Sequence, residues 1–317
     1  MLPQHIVAVI AAVIVVVALL AYYLNRKAHT NLADGRGITF EFGETEASNA
    51  FWDRNPKALP AFMRLLDLTN KAFGRPYQIR SRVEDICFHL GETCRTDFLE
   101  ILFLAVNGYG IGAQKLLRGL FERALALEYI RQNPDKAERF VRFAAIQEYK
   151  ASKAAVEVVG VEQFNAAMPS ENRFEEQENR YQEIRGEFEQ TDCKKCKIKR
   201  VAISWDVDVK TMVDRVGEPF GVLYFGCYVL ANLHVHATLA SAFQRDSNDG
   251  TSEQRNIDEA EFSVINAILT FLAVIQSQDH LFKLGLDDEI GVCRRDVDEV
   301  WRDRPHGPGS RKSAPQT

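Results

Sequence analysis

GYGIGAQKLLRGLFERALALEYIRQNPDKAERFVRF, residues 108–143, is the stretch whose reading decides the fold. It holds a glycine-punctuated start, a strongly apolar segment, a proline break and a basic-aromatic segment. At about 100° per residue, Ala113, Leu116, Leu117, Leu120, Phe121, Ala124 and Leu127 fall on one wide apolar arc, the signature of a core-facing helix. Arg118 and Glu122 stand one turn apart on the border of that arc, in a strip shared with Ile111, Leu125 and Tyr129. Charges flanked in this way are expected to be paired and partly buried, because a lone buried charge is costly. Pro134 suits the first turn of the helix that follows, where a missing N–H costs nothing, and that helix is expected to run to about Val158.

The same helical period extends in both directions. Ala58 to Phe73 carries Leu59, Phe62, Met63, Leu65, Leu66 and Leu68 and ends at Gly74, with Pro76 beyond it. Tyr77 to Val106 reads as a long helix that becomes almost wholly apolar at Phe98–Val106. Downstream, Pro219 opens PFGVLYFGCYVLANLHVHATLASAF, in which Tyr224, Tyr228, Asn232 and His236 recur at i,i+4 spacing along one strip. His234 falls almost opposite His236, so this helix does not present the two as a metal-binding pair. Ile257 to Leu284 reads as the last long helix. The pattern predicts an all-α fold: one helical domain over residues 56–302, interrupted at 170–200 by a charged, solvated excursion and followed by a disordered tail at 303–317.

Before that domain lies a segment of another kind. Ile6 to Leu24 is uncharged and apolar, about 28 Å long as a helix, which matches the hydrocarbon core of a bilayer. Tyr22 and Tyr23 fall where an aromatic belt would stand, and Arg26 and Lys27 follow directly, while only His5 precedes the run. A cleaved signal peptide would need a basic start and a shorter apolar core. Residues 5–24 are therefore expected to be a single transmembrane anchor in the cell inner membrane. Its N-terminus would lie outside, residues 25–55 would form a tether, and the main domain would be cytoplasmic.

Composition narrows the function classes. The 317 residues carry a net charge of -5, so no overall basic field draws in nucleic acid, and DNA is not an expected partner. Six scattered cysteines do not form a compact disulfide framework and fit thiols in a reducing compartment. Cys193-x-x-Cys196 has no second ligand pair, so neither a metal nor any other cofactor is expected. Around it Lys194, Lys195, Lys197, Lys199 and Arg200 form a basic patch. The patch suits either a solvated face or a contact with a protein partner or anionic lipid. Association with further copies of the chain is left open. The glycines at 108, 110 and 112 lack the lysine-serine ending of a phosphate loop and suit a tight turn between packed helices.

Taken together, residues 97–243, with Arg118-x-x-x-Glu122, Trp205, and Tyr228-x-x-x-Asn232-x-x-x-His236, resemble an uncharacterised bacterial all-helical family, domain of unknown function 5677. Asn232 stands where that family's pattern has serine, which argues against a serine nucleophile. The resemblance implies a helical bundle and no known reaction.

Two uses of the six residues follow. In the first, Arg118, Glu122, Trp205, Tyr228, Asn232 and His236 form a buried polar knot fixing helix register, in which loss of one partner strands a charge at about 3–5 kcal/mol. Alternatively Arg118, Glu122 and His236 are catalytic candidates, with His236 as acid or base and Arg118 on a phosphate, as in a metal-independent nuclease of helical-bundle type. That class carries an association with stress or phage defence. Arg82-x6-His89 is the nearest match to its arginine–histidine spacing. The favoured expectation is a membrane-anchored interaction or sensing module.

Overall fold

The computed structural model describes residues 45–168, 172–191, 199–235 and 252–302. The transmembrane segment expected at 5–24, most of the tether and the tail lie outside these residues. The helix α1 (Thr45–Arg54) occupies most of the last stretch assigned to the tether, and the compact unit starts at Ala47. Ala47 and Phe51 of α1 are buried, and Phe51 meets Trp52 edge-on at 5.4 Å. This packing corrects the tether boundary: two aromatic residues one turn from Ala47 are enough to fix a short helix on the core.

After α1 come α2 (Ala58–Phe73), α3 (Arg82–Val106) and α4 (Gly110–Gln132). α2 matches the sequence reading, whereas α3 begins five residues later than expected. The Ser81 hydroxyl accepts from the Glu84 amide at 3.1 Å, and the Glu84 carboxylate accepts from the Arg80 amide at 2.5 Å. This near-reciprocal cap sets the start. Gly108 adopts φ 86 between α3 and α4, a left-handed turn that a side chain would oppose. A 3-10 turn at Pro134–Lys136 then leads into α5 (Ala137–Val159), followed by the short α6 (Val161–Ala166).

The charged excursion is more ordered and better packed than its composition suggests. It forms α7 (Arg173–Ile184), a 3-10 turn (Arg185–Phe188) and a small antiparallel hairpin, β1 (Glu189–Thr191) with β2 (Lys199–Val201). Ile184 and Phe188 are buried; Phe188 packs on Phe143 at 5.2 Å and Tyr181 stacks on Tyr149 at 4.3 Å. Tyr181, Ile184 and Phe188 thus bind an otherwise hydrophilic segment to α5. The hairpin is a minor addition to a fold that is otherwise all-α.

Next come α8 (Val209–Val216) and α9 (Phe220–Val235), whose middle, Phe225–Leu230, is π-helical. α10 (Ser252–Phe282) and α11 (Asp287–Val297) complete the bundle. Among the described residues, Ile257–Phe282 is long and apolar enough to cross a membrane, but 72% of its apolar window is buried inside the bundle. It is a core helix.

α3, α4 and α10 pack on one another and hold the centre of the core. Phe98 stacks on Phe271 at 4.5 Å, and Phe73 lies nearly parallel to Phe271 at 6.1 Å, so three helices share one aromatic column. From Ala124 to Ile130 every residue of α4 is buried. α11 is clamped to α2 by a two-pronged pair, Arg64 Nε to Asp296 Oδ2 at 2.7 Å and Arg64 Nη2 to Asp296 Oδ1 at 2.6 Å.

Candidate functional site

α4 and α9 run antiparallel. Tyr129 receives a hydrogen bond from Arg215 just before α9, Phe121 lies against Phe220, Tyr224 and Tyr228, and Arg118 reaches Asn232 near the far end. This pairing brings four of the six candidate residues together. Arg118 donates through Nε to Glu122 Oε1 at 2.7 Å and through Nη1 to Asn232 Oδ1. Its guanidinium also lies over the Tyr228 ring, 4.9 Å from the centroid. Tyr228 in turn stacks on Tyr224 at 5.4 Å with only 16° between the rings.

The π segment supports this arrangement from behind. Gly226 faces α10 so closely that a Cβ there would lie 3.0 Å from Phe262 Cζ and 3.1 Å from Asn266 Oδ1. At the next residue the Cys227 thiol lies 3.6 Å from Thr270 Oγ1, one turn along α10 from Asn266. The small residues let α9 sit close against α10 on one side while Tyr224, Tyr228 and Asn232 face α4 on the other. Widened i→i+5 turns of this kind recur at functional positions.

The cluster is half-open rather than buried. The side chain of Arg118 is 25% exposed and that of Glu122 is 40% exposed. Solvent access lowers the worth of the pair from the buried-charge range to a few tenths of a kcal/mol for the ion pair itself. With the Asn232 hydrogen bond and the ring contact added, Arg118→Ala is expected to cost about 1–2 kcal/mol, not the 3–5 kcal/mol of a sealed knot. A double-mutant cycle with Asn232→Ala in urea denaturation should return a coupling of about 1 kcal/mol. A loss above 3 kcal/mol for Arg118→Ala alone would show that the cluster closes in solution.

Trp205 does not join this group. It packs edge-on against Tyr129 at 5.7 Å and Phe140 at 5.1 Å, and its carbonyl accepts from Arg139 Nε at 2.7 Å. Beside it the Tyr129 hydroxyl donates to Asp206 Oδ2 at 2.8 Å and accepts from Arg215 Nη1 at 2.7 Å. Trp205 therefore closes the α4–α5–α8 junction, two turns and more from Glu122 along α4. His236 lies outside the described residues. His234 is buried on the core side of α9.

The remaining candidates are placed as follows. Arg82 and His89 both approach Asp85, at 3.3 and 3.5 Å, on the outer face of α3, where the His89 side chain is 72% exposed. Lys199 and Arg200 stand on the exposed hairpin, with Lys199 Nζ 3.7 Å from Glu189, while Lys194, Lys195 and Lys197 lie outside the described residues. Cys87, Cys94, Cys227 and Cys293 are free and buried, and burial pushes each thiol up, Cys87 and Cys227 to about 12 and Cys293 to about 11. A thiol held protonated at neutral pH is neither a nucleophile nor a ready metal ligand. Cys193 and Cys196 lie outside the described residues.

A second polar cluster was not anticipated from the sequence. Glu128, on the buried C-terminal half of α4, accepts from Arg131 Nε and Nη2, Gln132 Nε2 and Ser277 Oγ, all within 2.6–2.8 Å. Next to Ser277, Gln278 donates to the Cys87 carbonyl at 2.7 Å. Glu128 and Arg131 were legible as an i,i+3 pair, but no periodicity could disclose Ser277 as the partner of Glu128 across the core.

Comparison with curated proteins and with solved structures gives no match. The model of one family, described as a family of unknown function (DUF5677), matches residues 84–253. The match spans more than half of the chain and takes in α3, α4, α9 and the Arg118–Glu122–Tyr228–Asn232 cluster, so the chain belongs to the DUF5677 family.

Proposed function

We propose that this protein is a membrane-anchored helical module that acts by interaction or sensing at the cytoplasmic face of the cell inner membrane. The observation that carries the interaction half is the cluster on α4 and α9. Its charged and aromatic groups already satisfy one another, lie half-open, and border an exposed apolar stripe of α9. Such a rim of paired polar groups around apolar side chains is the anatomy of a recognition surface. A catalytic arrangement would instead offer an acid or base aimed into a cavity. The anchor half rests on the uncharged run Ile6–Leu24 and the basic residues Arg26 and Lys27 after it.

Two measurements test the proposal. Reporter fusions placed after Thr317 should signal a cytoplasmic location in intact cells; a periplasmic signal would overturn the orientation. The Arg118→Ala and Glu122→Ala variants should stay folded, melting within several degrees of the parent as a loss of about 1–2 kcal/mol implies, while losing association in the membrane. RNA cleavage by the purified parent, abolished in Arg118→Ala, would replace this reading with nuclease-type catalysis.

A further inference from the structure

α9 is apolar on the side that packs into the bundle and also on the side that does not. No charged residue occurs from Pro219 through Phe243. Phe220, Leu223, Cys227 and Ala231 face the core, yet Val222, Phe225, Val229 and Leu233 point outward at successive turns, exposed by 75, 61, 37 and 39%. A helix that is apolar all round belongs in an interior, and the chain as described covers only half of this one.

The chemistry of the stripe narrows what covers it. A helix that lies on an anionic membrane carries Lys and Arg on its polar face, but α9 has neither, and its other face is locked into the core. Charge at the two ends of the stripe points to a self-complementary partner. Glu218 is exposed at the N-terminal end, while the antiparallel course of α4 places exposed Lys115 at the end where Arg118 meets Asn232. A parallel pair of copies would bring two Glu218 carboxylates together. An antiparallel, two-fold pair sets each Glu218 toward the partner copy's Lys115 end, and Phe225 against Val229 at the centre.

We infer that the outward stripe Val222–Phe225–Val229–Leu233 of α9 is a homodimerisation surface that joins two copies of this chain antiparallel about a two-fold axis. This rests on the reading of the α4–α9 face as an interaction surface and names its partner. The Arg118–Glu122 pair then forms part of the rim, so dimerisation and the polar cluster report on each other.

The test uses the full chain in a mild detergent, with mass measured by light scattering. The parent should be a dimer at micromolar concentration. F225K/V229K and F225E/V229E should each be monomeric, because like charges would meet across the axis, and an equimolar mixture of the two should recover heterodimers. Both double variants should melt close to the parent, since the altered side chains are exposed. A monomeric parent, or a dimer indifferent to both double variants, overturns the inference. Photo-crosslinking from position 225 in cells separates the two readings. A crosslink to a different polypeptide sinks self-association and leaves the interaction reading standing, whereas a crosslink to lipid alone sinks both.

Discussion

Phe271→Ala is expected to be among the most damaging single substitutions in this protein, lowering stability by about 3–5 kcal/mol. Phe271 is fully buried at the point where α2, α3 and α10 converge, between Phe98 at 4.5 Å and Phe73 at 6.1 Å. Removing the ring forfeits its own transfer free energy and also both ring contacts. The hole left behind is walled by three helices that cannot collapse independently, and cavity terms are largest where relaxation is blocked. Phe271→Leu keeps most of the volume and should recover more than half of the loss. Urea denaturation of both variants beside the parent measures this. A loss below 1 kcal/mol for Phe271→Ala would mean that the three helices are not clamped around this column.

Much of this core was legible as periodicity. The arc on α4 and the span of α2 follow from the spacing of Leu, Phe and Ala alone, because a helix that buries one face must repeat its apolar residues at that interval. Where the reading failed, a local polar signal had been outvoted by the apolar one. The Ser81–Glu84 cap was present in the sequence and would have moved the start of α3 from Tyr77 to Arg82. The helix α11 announces itself with Asp287, Asp288 and Glu289 in its first turn and Arg294 and Arg295 in its last, matched to the helix dipole, yet it has too few apolar residues to stand out. In the excursion, Tyr181, Ile184 and Phe188 were hidden among charges that composition weighs more heavily.

The candidate site divides along a different line. Arg118 with Glu122, and Tyr228 with Asn232, were each legible as neighbours on one helix, and facing the two strips was a sound inference from their need for partners. How deeply they lie was not legible. A strip on the border of an apolar arc can be sealed or open depending on how the facing helix sits against it, and Glu122, alongside the Tyr224–Tyr228 turn of α9, keeps 40% of its side chain exposed. Trp205 was assigned to the cluster by resemblance, with no periodicity to place it, and it packs instead at the other end of α4. The Glu128 cluster was illegible as a whole because Ser277, its partner from α10, lies about 150 residues away in the chain.

That hidden cluster supplies the second large effect, and the effect depends on pH. Burial disfavours the charged form of Glu128, but hydrogen bonds from Arg131, Ser277 and Gln132 outweigh it and hold the carboxyl below the ordinary glutamate range. A folded pKa below the unfolded one gives a contribution that is full above the unfolded value, near 4.3, and is lost as pH falls through the folded value. Asp97, on α3 beside Arg123, has the opposite sign: burial raises its carboxyl more than Arg123 lowers it, so it carries a cost at neutral pH that protonation relieves. Glu128→Gln is therefore expected to destabilise the protein by about 3 kcal/mol at pH 7, toward the low end of the range for a broken buried pair, because Arg131 keeps some access to water. The loss should shrink as pH falls below the ordinary glutamate value and disappear once the carboxyl is protonated in the fold as well. Asp97→Asn should show the reverse trend, losing less at pH 7 than near pH 4 relative to its own parent curve. Denaturation midpoints of the parent and both variants between pH 3.5 and 7 decide the matter. A pH-independent difference between the parent and Glu128→Gln would show that the carboxylate is not charged in the fold.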